Sequence, residues 1–292
     1  MGGKDVRRRL RRYRFRPDGI IASKSVGADL IIVTKRDGQL ILLFGEDRDR
    51  GGALEFSGVM SRVLLRDPLY LLGIYTRVML LALAWVPAPR RIYLLGFGGG
   101  RLPTIVRAHD DRVIIESTET SATVITFATK YFGVRPDERL QVVAKDGRAY
   151  LRDRPGATYD IIWIDCFTGT GRHPSHLSTI EFYALCNTHL ADGAVVATNL
   201  SQHDKFVGRK IATFAKSFPV SAAYRDRDCC VLFGWNSVGP TLPTIIHAAR
   251  GIEREKGFSF PYAEYAEQLT LLDPATEVQP LRDSDPPVND SR

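Results

Sequence analysis

A glycine-rich turn is the first stretch of the sequence with the properties of a ligand-binding site. The four apolar residues 92–95 suit a strand that is covered on both faces. Gly96, Gly98 and Gly99 follow at once, and glycines let the backbone turn tightly and let a ligand approach the main chain. Pro103 suits the first turn of a helix, where its missing N–H costs nothing. Strand, turn and helix start together predict a nucleotide-type binding site.

Carboxylates follow the next three predicted strands, at the sheet edge where ligands of an open α/β sheet bind. Glu116 ends the second strand, 20 residues after Gly96, where a carboxylate can accept hydrogen bonds from both ribose hydroxyls. Asp146, followed by Gly147, could accept from an adenine amino group, cap the next helix, or do both. Asp165 ends the fourth strand and could take a proton from an amine or stabilise a sulfonium.

A second glycine-rich stretch, residues 166–177, follows Asp165 and has the composition of a lid loop. His176 within it could accept a proton, contact the substrate or cap the following helix. No Cys, Asp or Glu stands at ligand spacing in this loop, so we expect no metal site. The four cysteines have no metal-type or disulfide-type spacing and no signal peptide is visible, which together favour a cytoplasmic protein.

The order of strand and helix patterns predicts an α/β fold preceded by a small separate sheet. Three β-type runs with a hairpin signal at Asp37-Gly38 lie near the start of the chain. From residue 91, strands alternate with single helices, which predicts a Rossmann-type, doubly wound and mostly parallel sheet. The predicted units are a disordered basic arm (1–18), a small antiparallel β-domain (19–66), a catalytic domain with its lead-in helix (67–255), a helical extension (256–272) and a disordered tail (273–292).

The positive charge of the chain is concentrated at its start. Residues 1–16 hold eight basic side chains and one acid, and their net charge equals the +7 of the whole chain. Such an arm could contact nucleic acid or anionic lipid, but we favour a solvated terminus and do not expect a nucleic-acid enzyme. The Leu-rich segment 69–86 is interrupted by polar residues, and its longest uncharged part is too short to cross a bilayer, so we expect no membrane span.

Taken in order, the glycine turn, Glu116, Asp146-Gly147 and the run 159–165 resemble the spermidine/spermine synthase family, the polyamine aminopropyltransferases. The resemblance extends over nearly all of residues 20–235 and points to its divergent bacterial spermidine synthase-like branch. It implies a methyltransferase-like fold and a role in polyamine biosynthesis. In that reaction decarboxylated S-adenosylmethionine donates an aminopropyl group to a small amine acceptor. It also implies a homodimer or tetramer.

Carried over residue by residue, the resemblance assigns roles to the candidate residues. Glu116 would hold the ribose and Asp146 the adenine. Asp165 would deprotonate the attacking amine, which Tyr75 would help to position. The expected donor-binding set is Gly96, Gly98, Gly99, Glu116, Asp146 and Gly147.

Four places depart from the family pattern. One is the pair Ser117 and Thr118 directly after Glu116, where the family usually has an apolar residue and Asp. Gly98 stands where an acid usually grips the aminopropyl end of the donor, and Ser61 lies near the position of a usual Gln. Thr168 stands where a second acid usually anchors the far amine of a diamine. We expect Thr168 and His176 to contact the acceptor, whose identity the sequence leaves open.

Three other functions fit part of the pattern. The first is an S-adenosylmethionine-dependent methyltransferase, which Gly98 favours because an acid there would repel the donor's carboxylate. The second is a non-catalytic relative that keeps the nucleoside pocket and docks through its basic arm. The third is a nicotinamide dehydrogenase, which could use Glu116 but leaves Asp146 and Asp165 without a role.

Overall fold

Two β-sheets and the helices around the larger sheet make up the fold. The computed structural model describes residues 3–27, 29–46, 55–169, 171–236 and 238–285. The smaller sheet is antiparallel, and five neighbouring strands of the larger sheet run parallel. The predicted fold class is therefore confirmed.

The smaller sheet consists of four consecutive antiparallel strands. They are β1 (Gly19–Val26), β2 (Asp29–Arg36), β3 (Gln39–Glu46) and β4 (Glu55–Leu64). Between β2 and β3 the chain turns at Asp37 and Gly38, with φ of 49° and 72°, the left-handed conformations that an Asp-Gly hairpin turn requires. The six middle residues of β2 are all buried, so this sheet is covered on both faces.

The larger sheet has the spatial strand order β12-β10-β11-β9-β8-β5-β6-β7. Its strands are β5 (Arg91–Leu95), β6 (Ile114–Glu119), β7 (Leu140–Ala144), β8 (Tyr159–Ile164), β9 (Leu190–Ser201), β10 (Val220–Arg225), β11 (Cys229–Trp235) and β12 (Thr270–Leu271). The strand order reverses between β5 and β8, and a crevice at the carboxyl ends of these two strands is the expected ligand position. Antiparallel β10 and β11 extend the sheet beyond β9, as their close spacing predicts.

Helices cover both faces of the larger sheet. They are α1 (Gly3–Arg14), α2 (Ile74–Met79), α3 (Ala82–Trp85), α4 (Arg101–His109), α5 (Ala122–Tyr131), α6 (Gly147–Arg152), α7 (Ile180–Thr188), α8 (Val207–Ser217), α9 (Leu242–Lys256) and α10 (Tyr262–Glu267). Along β5, Ile92 and Leu94 pack into one apolar cluster, whereas Tyr93 and Leu95 pack into another on the opposite face. The lead-in segment forms the two short helices α2 and α3. None of the helices described is both long enough and apolar enough to cross a membrane.

The basic arm is not disordered over the part that the structure describes, which corrects the prediction for residues 1–18. Residues 3–14 form α1, and Val6, Leu10 and Tyr13 are buried at intervals of four and three residues. This spacing places the three side chains on one helix face, which packs beside Gly133 while the arginines remain largely outside. The high charge of the segment concealed this apolar stripe.

The C-terminal segment also differs from the predicted disorder of residues 273–292. Leu281 is buried, its backbone N–H donates to Thr213 Oγ1 over 2.8 Å, and its carbonyl accepts from Ile180 N over 3.0 Å. Asp283 forms an ion pair with Arg148 and accepts a hydrogen bond from Thr179. The chain is therefore attached to α7 and α8 as far as residue 285, and residues 286–292 lie outside the described part.

Candidate active site

A cavity of about 890 Å³ lies between the smaller sheet and the carboxyl ends of the parallel strands. It is bounded by the glycine turn after β5, the end of β6, the loop after β8 and the cavity-facing residues of β2 and β4. The predicted site residues that line it are Tyr75, Gly96, Gly98, Asp146, Gly147, Asp165, Thr168 and His176. Gly99 and Glu116 do not line it.

At the glycine turn, the end of β5 comes into contact with the residues that follow β8. Gly96 has φ of 85°, and a Cβ atom there would lie 2.2 Å from the carbonyl oxygen of Asp165. No side chain fits so close an approach, so glycine is required at this position. Gly99 faces the smaller sheet instead, and its N–H donates to Ser61 Oγ over 3.1 Å. A Cβ atom on Gly98 would make only ordinary contacts with the smaller sheet, 3.6 Å from Met60 O and 3.7 Å from Ser61 Oγ.

The predicted ribose-binding role of Glu116 is wrong in this structure. Its buried carboxylate accepts hydrogen bonds from Arg91, Tyr150 and Tyr159, on the side of the sheet away from the cavity lining. Burial alone would raise the pKa of Glu116, but the hydrogen bonds from Arg91 and the two tyrosines hold it below its usual value. Glu116 therefore acts as a structural ion-pair partner within the fold.

Glu119 occupies the position that the prediction gave to Glu116. Strand β6 continues three residues further than predicted because its polar residues Ser117 and Thr118 bond to neighbouring groups, Leu94 O and Tyr93 Oη, at 2.9 and 3.0 Å. Glu119 ends the strand, lines the cavity and accepts hydrogen bonds from the backbone N–H groups of Phe97 and Gly98, each over 3.2 Å. Side chains alternate between the two faces of a strand, so Glu116 and Glu119, three positions apart, point to opposite faces of the sheet. This difference explains why their surroundings differ.

Asp146 lines the cavity and also caps α6. Its Oδ1 accepts from Ala149 N over 2.8 Å, and its Oδ2 lies 3.2 Å from His176 Nε2. Gly147 cannot be replaced by a larger residue without a shift, because a Cβ there would lie 2.6 Å from Leu95 Cδ2. His176 does not cap the helix that follows it, since Thr179 does so. The pair of Asp146 and His176 closes one side of the cavity.

Asp165 is half-buried at the cavity wall and has a single side-chain partner among the described residues. Asn199 Nδ2 donates to its Oδ1 over 3.0 Å. Burial raises the pKa of Asp165 to about 6, which the hydrogen bond from Asn199 only partly offsets. Tyr75 also lines the cavity, and burial together with the charge of Asp165 raises the pKa of its phenol, so that it remains protonated. A carboxylate with a pKa near neutrality has the properties of a general base.

The loop after Asp165 is held by a buried histidine outside the cavity lining. Lys210 Nζ donates to the carbonyl oxygen of His173 over 2.6 Å and forms an ion pair with Asp204 at the same distance. Ser178 Oγ lies 3.1 Å from His173 Nδ1, and burial lowers the pKa of His173 to about 3, so its ring is neutral. His173 therefore anchors the loop whose residues Thr168 and His176 face the cavity.

Among the polar side chains of the cavity wall that sequence reasoning did not single out, Glu119 and Asn199 contact predicted site residues directly. The signal for Glu119 was a second acid three residues after the first, at the true end of the strand. Nothing in the local sequence distinguishes Asn199, because its contact with Asp165 joins two strands 34 residues apart. Among residues 3–27, 29–46, 55–169, 171–236 and 238–285, no group of three side chains is arranged to hold a metal ion.

The chain belongs to the spermine/spermidine synthase family. The family's spermine/spermidine synthase domain matches residues 74–218. A polyamine aminopropyltransferase of Erwinia tasmaniensis is 30% identical over 226 residues, which cover 73% of this chain and 77% of the relative. A polyamine aminopropyltransferase of Vibrio vulnificus is 25% identical over 197 residues, which cover 67% of this chain but only 63% of the relative. The chain thus spans less than two thirds of that second protein.

Solved structures share the fold. A probable spermidine synthase from Corynebacterium glutamicum superposes with a TM-score of 0.67 at 19% identity, over 92% of this chain and 98% of the other. Human methyltransferase-like protein 13 in complex with SAH superposes with a TM-score of 0.58 at 21% identity, over 65% of this chain and 95% of the other. The architecture is therefore that of spermidine synthases and methyltransferases alike.

Proposed function

We propose that this protein is a spermidine synthase-like transferase that moves an aminopropyl group from decarboxylated S-adenosylmethionine to an amine. The observation that carries the proposal is Asp165, a half-buried carboxylate at the wall of the large cavity that accepts a hydrogen bond from Asn199 and whose pKa is raised to about 6. Its neighbours Tyr75 and Asn199 are the groups that would orient it and the amine. The named relatives, which are polyamine aminopropyltransferases, support the same reaction class.

The donor would lie along the glycine turn. Glu119 is the carboxylate that would accept the ribose hydroxyls, and Asp146 is the one that would accept from the adenine amino group. Gly98, which has no side chain, lines the cavity at this turn. The sulfonium would then face Asp165, whose negative charge favours a cation.

The chemistry requires a base because an ammonium ion has no lone pair. Asp165 takes one proton from the ammonium group of the acceptor, and the free amine attacks the carbon beside the sulfonium. A new C–N bond forms as the C–S bond breaks, and its electron pair stays on sulfur, which leaves methylthioadenosine. The remaining rate acceleration would come from alignment of the amine with the breaking bond.

The proposal is tested by the release of methylthioadenosine. Purified protein is incubated with decarboxylated S-adenosylmethionine and a panel of monoamines, diamines and polyamines, and the product is quantified by chromatography. We expect release with at least one amine and none without an acceptor. Absence of release with every amine would contradict the proposal.

Methyl transfer from S-adenosylmethionine is the second candidate, and Gly98 favours it. The donor's carboxylate would meet no acid at this position of the turn, whereas an Asp there would repel it. Calorimetric titration with S-adenosylmethionine and with its decarboxylated form separates the two candidates. Tighter binding of the carboxylated donor would favour methyl transfer.

A further inference from the structure

The C-terminal segment, residues 279–285, is held against α7 and α8 at several points. Leu281 is buried and bonds through its backbone to both helices. Arg209 of α8 pairs with Asp285 over 2.8 Å, and the backbone N–H of Asp283 donates to a carboxylate of α7 over 3.0 Å. The backbone that carries Asp283 is therefore fixed on both sides.

Arg148 of α6 joins this segment to the loop that follows Asp165. Its guanidinium pairs with Asp283, with Nη1 2.7 Å from Asp283 Oδ1. The same Nη1 donates to the carbonyl oxygen of His176 over 2.9 Å. Asp283 Oδ1 also accepts from Thr179 Oγ1 over 2.7 Å. A guanidinium is planar and presents its N–H groups in fixed directions, so the position of Asp283 determines where Arg148 holds His176.

His176 transmits this contact to the cavity. Its ring Nε2 lies 3.2 Å from Asp146 Oδ2, and both residues line the cavity, whereas Arg148 and Asp283 lie outside its lining. Because an ionised carboxylate only accepts hydrogen bonds, Nε2 is the donor. Asp146 Oδ1 accepts from Ala149 N, so the contact with His176 fixes the second oxygen and with it the plane of the carboxylate. Oδ2 keeps another lone pair for a ligand donor.

We infer that Arg148, set in place by Asp283, is a positioning residue of the donor site that holds His176 against Asp146. This inference rests on the proposed function, in which Asp146 accepts from the adenine amino group. The C-terminal segment thereby contributes to nucleoside binding without touching the nucleoside. Loss of the Asp283 carboxylate would release Arg148 and, with it, the carbonyl group of His176.

The test measures calorimetric binding of methylthioadenosine to the wild type, Asp283→Ala and Asp283→Glu. The Asp283 side chain is 42% exposed, so neither substitution should prevent folding. We expect Asp283→Ala to weaken binding about three- to tenfold, as for substitutions that act on a ligand through other residues. Asp283→Glu, which keeps the carboxylate, should retain most of the affinity. Unchanged binding in Asp283→Ala would overturn the inference.

Asp285→Ala is the matched control. It removes the same charge from the same segment, but Asp285 pairs with Arg209 of α8 rather than with Arg148. We expect its affinity for methylthioadenosine to stay within about twofold of the wild type. An equal loss of affinity in Asp283→Ala and Asp285→Ala would show that detachment of the segment in general, and not Arg148, affects the site. That result would contradict the inference.

A double-mutant cycle with His176→Ala tests the route of the effect. His176→Ala removes the imidazole contact with Asp146 directly. If Asp283 acts through His176, Asp283→Ala should weaken binding by less than about twofold once His176 has been replaced, so that the two losses are not additive. Fully additive losses would show that Asp283 acts independently of His176, against the inference.

Hydrogen exchange separates the inference from the proposed function. If the wild type binds no methylthioadenosine, the proposed donor site fails, but exchange in the ligand-free protein still reports on the loop. The amides of residues 177 and 178 each donate to a carbonyl group three residues earlier. We expect these amides to exchange faster in Asp283→Ala than in the wild type and in Asp285→Ala. Equal exchange in all three proteins would overturn the inference.

Discussion

The two halves of the cavity use their carboxylates in different ways. In the donor half, formed by the glycine turn with Glu119 and Asp146, each acid accepts hydrogen bonds from backbone N–H groups of the protein. In the acceptor half, formed by Asp165 and Tyr75, Asp165 has one side-chain partner among the described residues, Asn199. The carboxylates of the donor half are therefore positioned by the main chain, whereas the carboxylate of Asp165 is positioned by a side chain. Under the proposed function, the charge of Asp165 would meet the ammonium group of the acceptor.

Removal of the base should have the largest effect on activity. We expect Asp165→Asn to lower kcat for amine transfer by about 10²–10⁴, because the ammonium form of the acceptor would no longer lose its proton to the enzyme. Binding of methylthioadenosine should stay within about twofold of the wild type, since this residue lies in the acceptor half. Full activity in this variant would contradict the role of Asp165.

The pH dependence of the reaction should report the same group. Because burial raises the pKa of Asp165 to about 6, its carboxylate is protonated below that pH and cannot act as the base. We expect kcat/KM to fall about tenfold per pH unit below pH 6 once the titration of the free amine has been subtracted. If the pH dependence of kcat/KM followed the titration of the free amine alone, the protonation of Asp165 would not limit the reaction.

The same titration affects stability with a defined sign. A carboxyl whose pKa is raised in the folded state stabilises the fold below its ordinary pKa of 3.8 and loses that contribution as the pH rises through about 6. Asp165→Asn should therefore raise Tm by about 2–4 °C at pH 8 and change it little at pH 4. Differential scanning calorimetry at both pH values measures this difference. A lower Tm of Asp165→Asn at pH 8 would show that the ionised carboxylate of Asp165 does not destabilise the fold.

Two acids on one strand provide a sharper test of the donor half. Glu119→Gln should weaken methylthioadenosine binding by about tenfold, as for loss of charged hydrogen bonds to the ribose. Glu116→Gln should leave that affinity unchanged but lower the free energy of unfolding by about 1–3 kcal/mol, because Arg91 would keep its charge without its buried partner. If Glu116→Gln weakened methylthioadenosine binding and Glu119→Gln left it unchanged, the ribose-binding role predicted for Glu116 would be supported instead.

The basic helix should have the smallest effect on the active site. Leu10 is 1% exposed, and Leu10→Ala should lower the free energy of unfolding by about 2–4 kcal/mol through the cavity it leaves. Kinetic constants measured well below the melting temperature should stay within about twofold of the wild type. A variant with unchanged stability would show that α1 is not docked in solution.

The larger sheet and the glycine turn could be predicted because their signals are local. The alternation of apolar strands with helices was enough to predict the fold class. Gly96 indicated a tight turn, and the structure shows that no side chain fits there. The end of β6 was misplaced because Ser117 and Thr118 look like loop residues, although both are buried and hydrogen-bonded within the sheet. In α1 the charge of the arginines obscured an apolar spacing that was present in the sequence.

The acceptor half could not be predicted, because it depends on contacts between distant parts of the chain. Asn199 meets Asp165 through the pairing of two strands. Asn199 does not stand in a motif. The sequence therefore supported the class of donor and left the acceptor open.

A crystal structure with methylthioadenosine bound tests the division of the cavity most directly. We expect ribose hydroxyls within hydrogen-bond distance of Glu119, adenine beside Asp146, and the sulfur atom directed at Asp165 and Tyr75. A ribose that does not contact Glu119, or a sulfur atom directed away from Asp165, would contradict this division of the cavity.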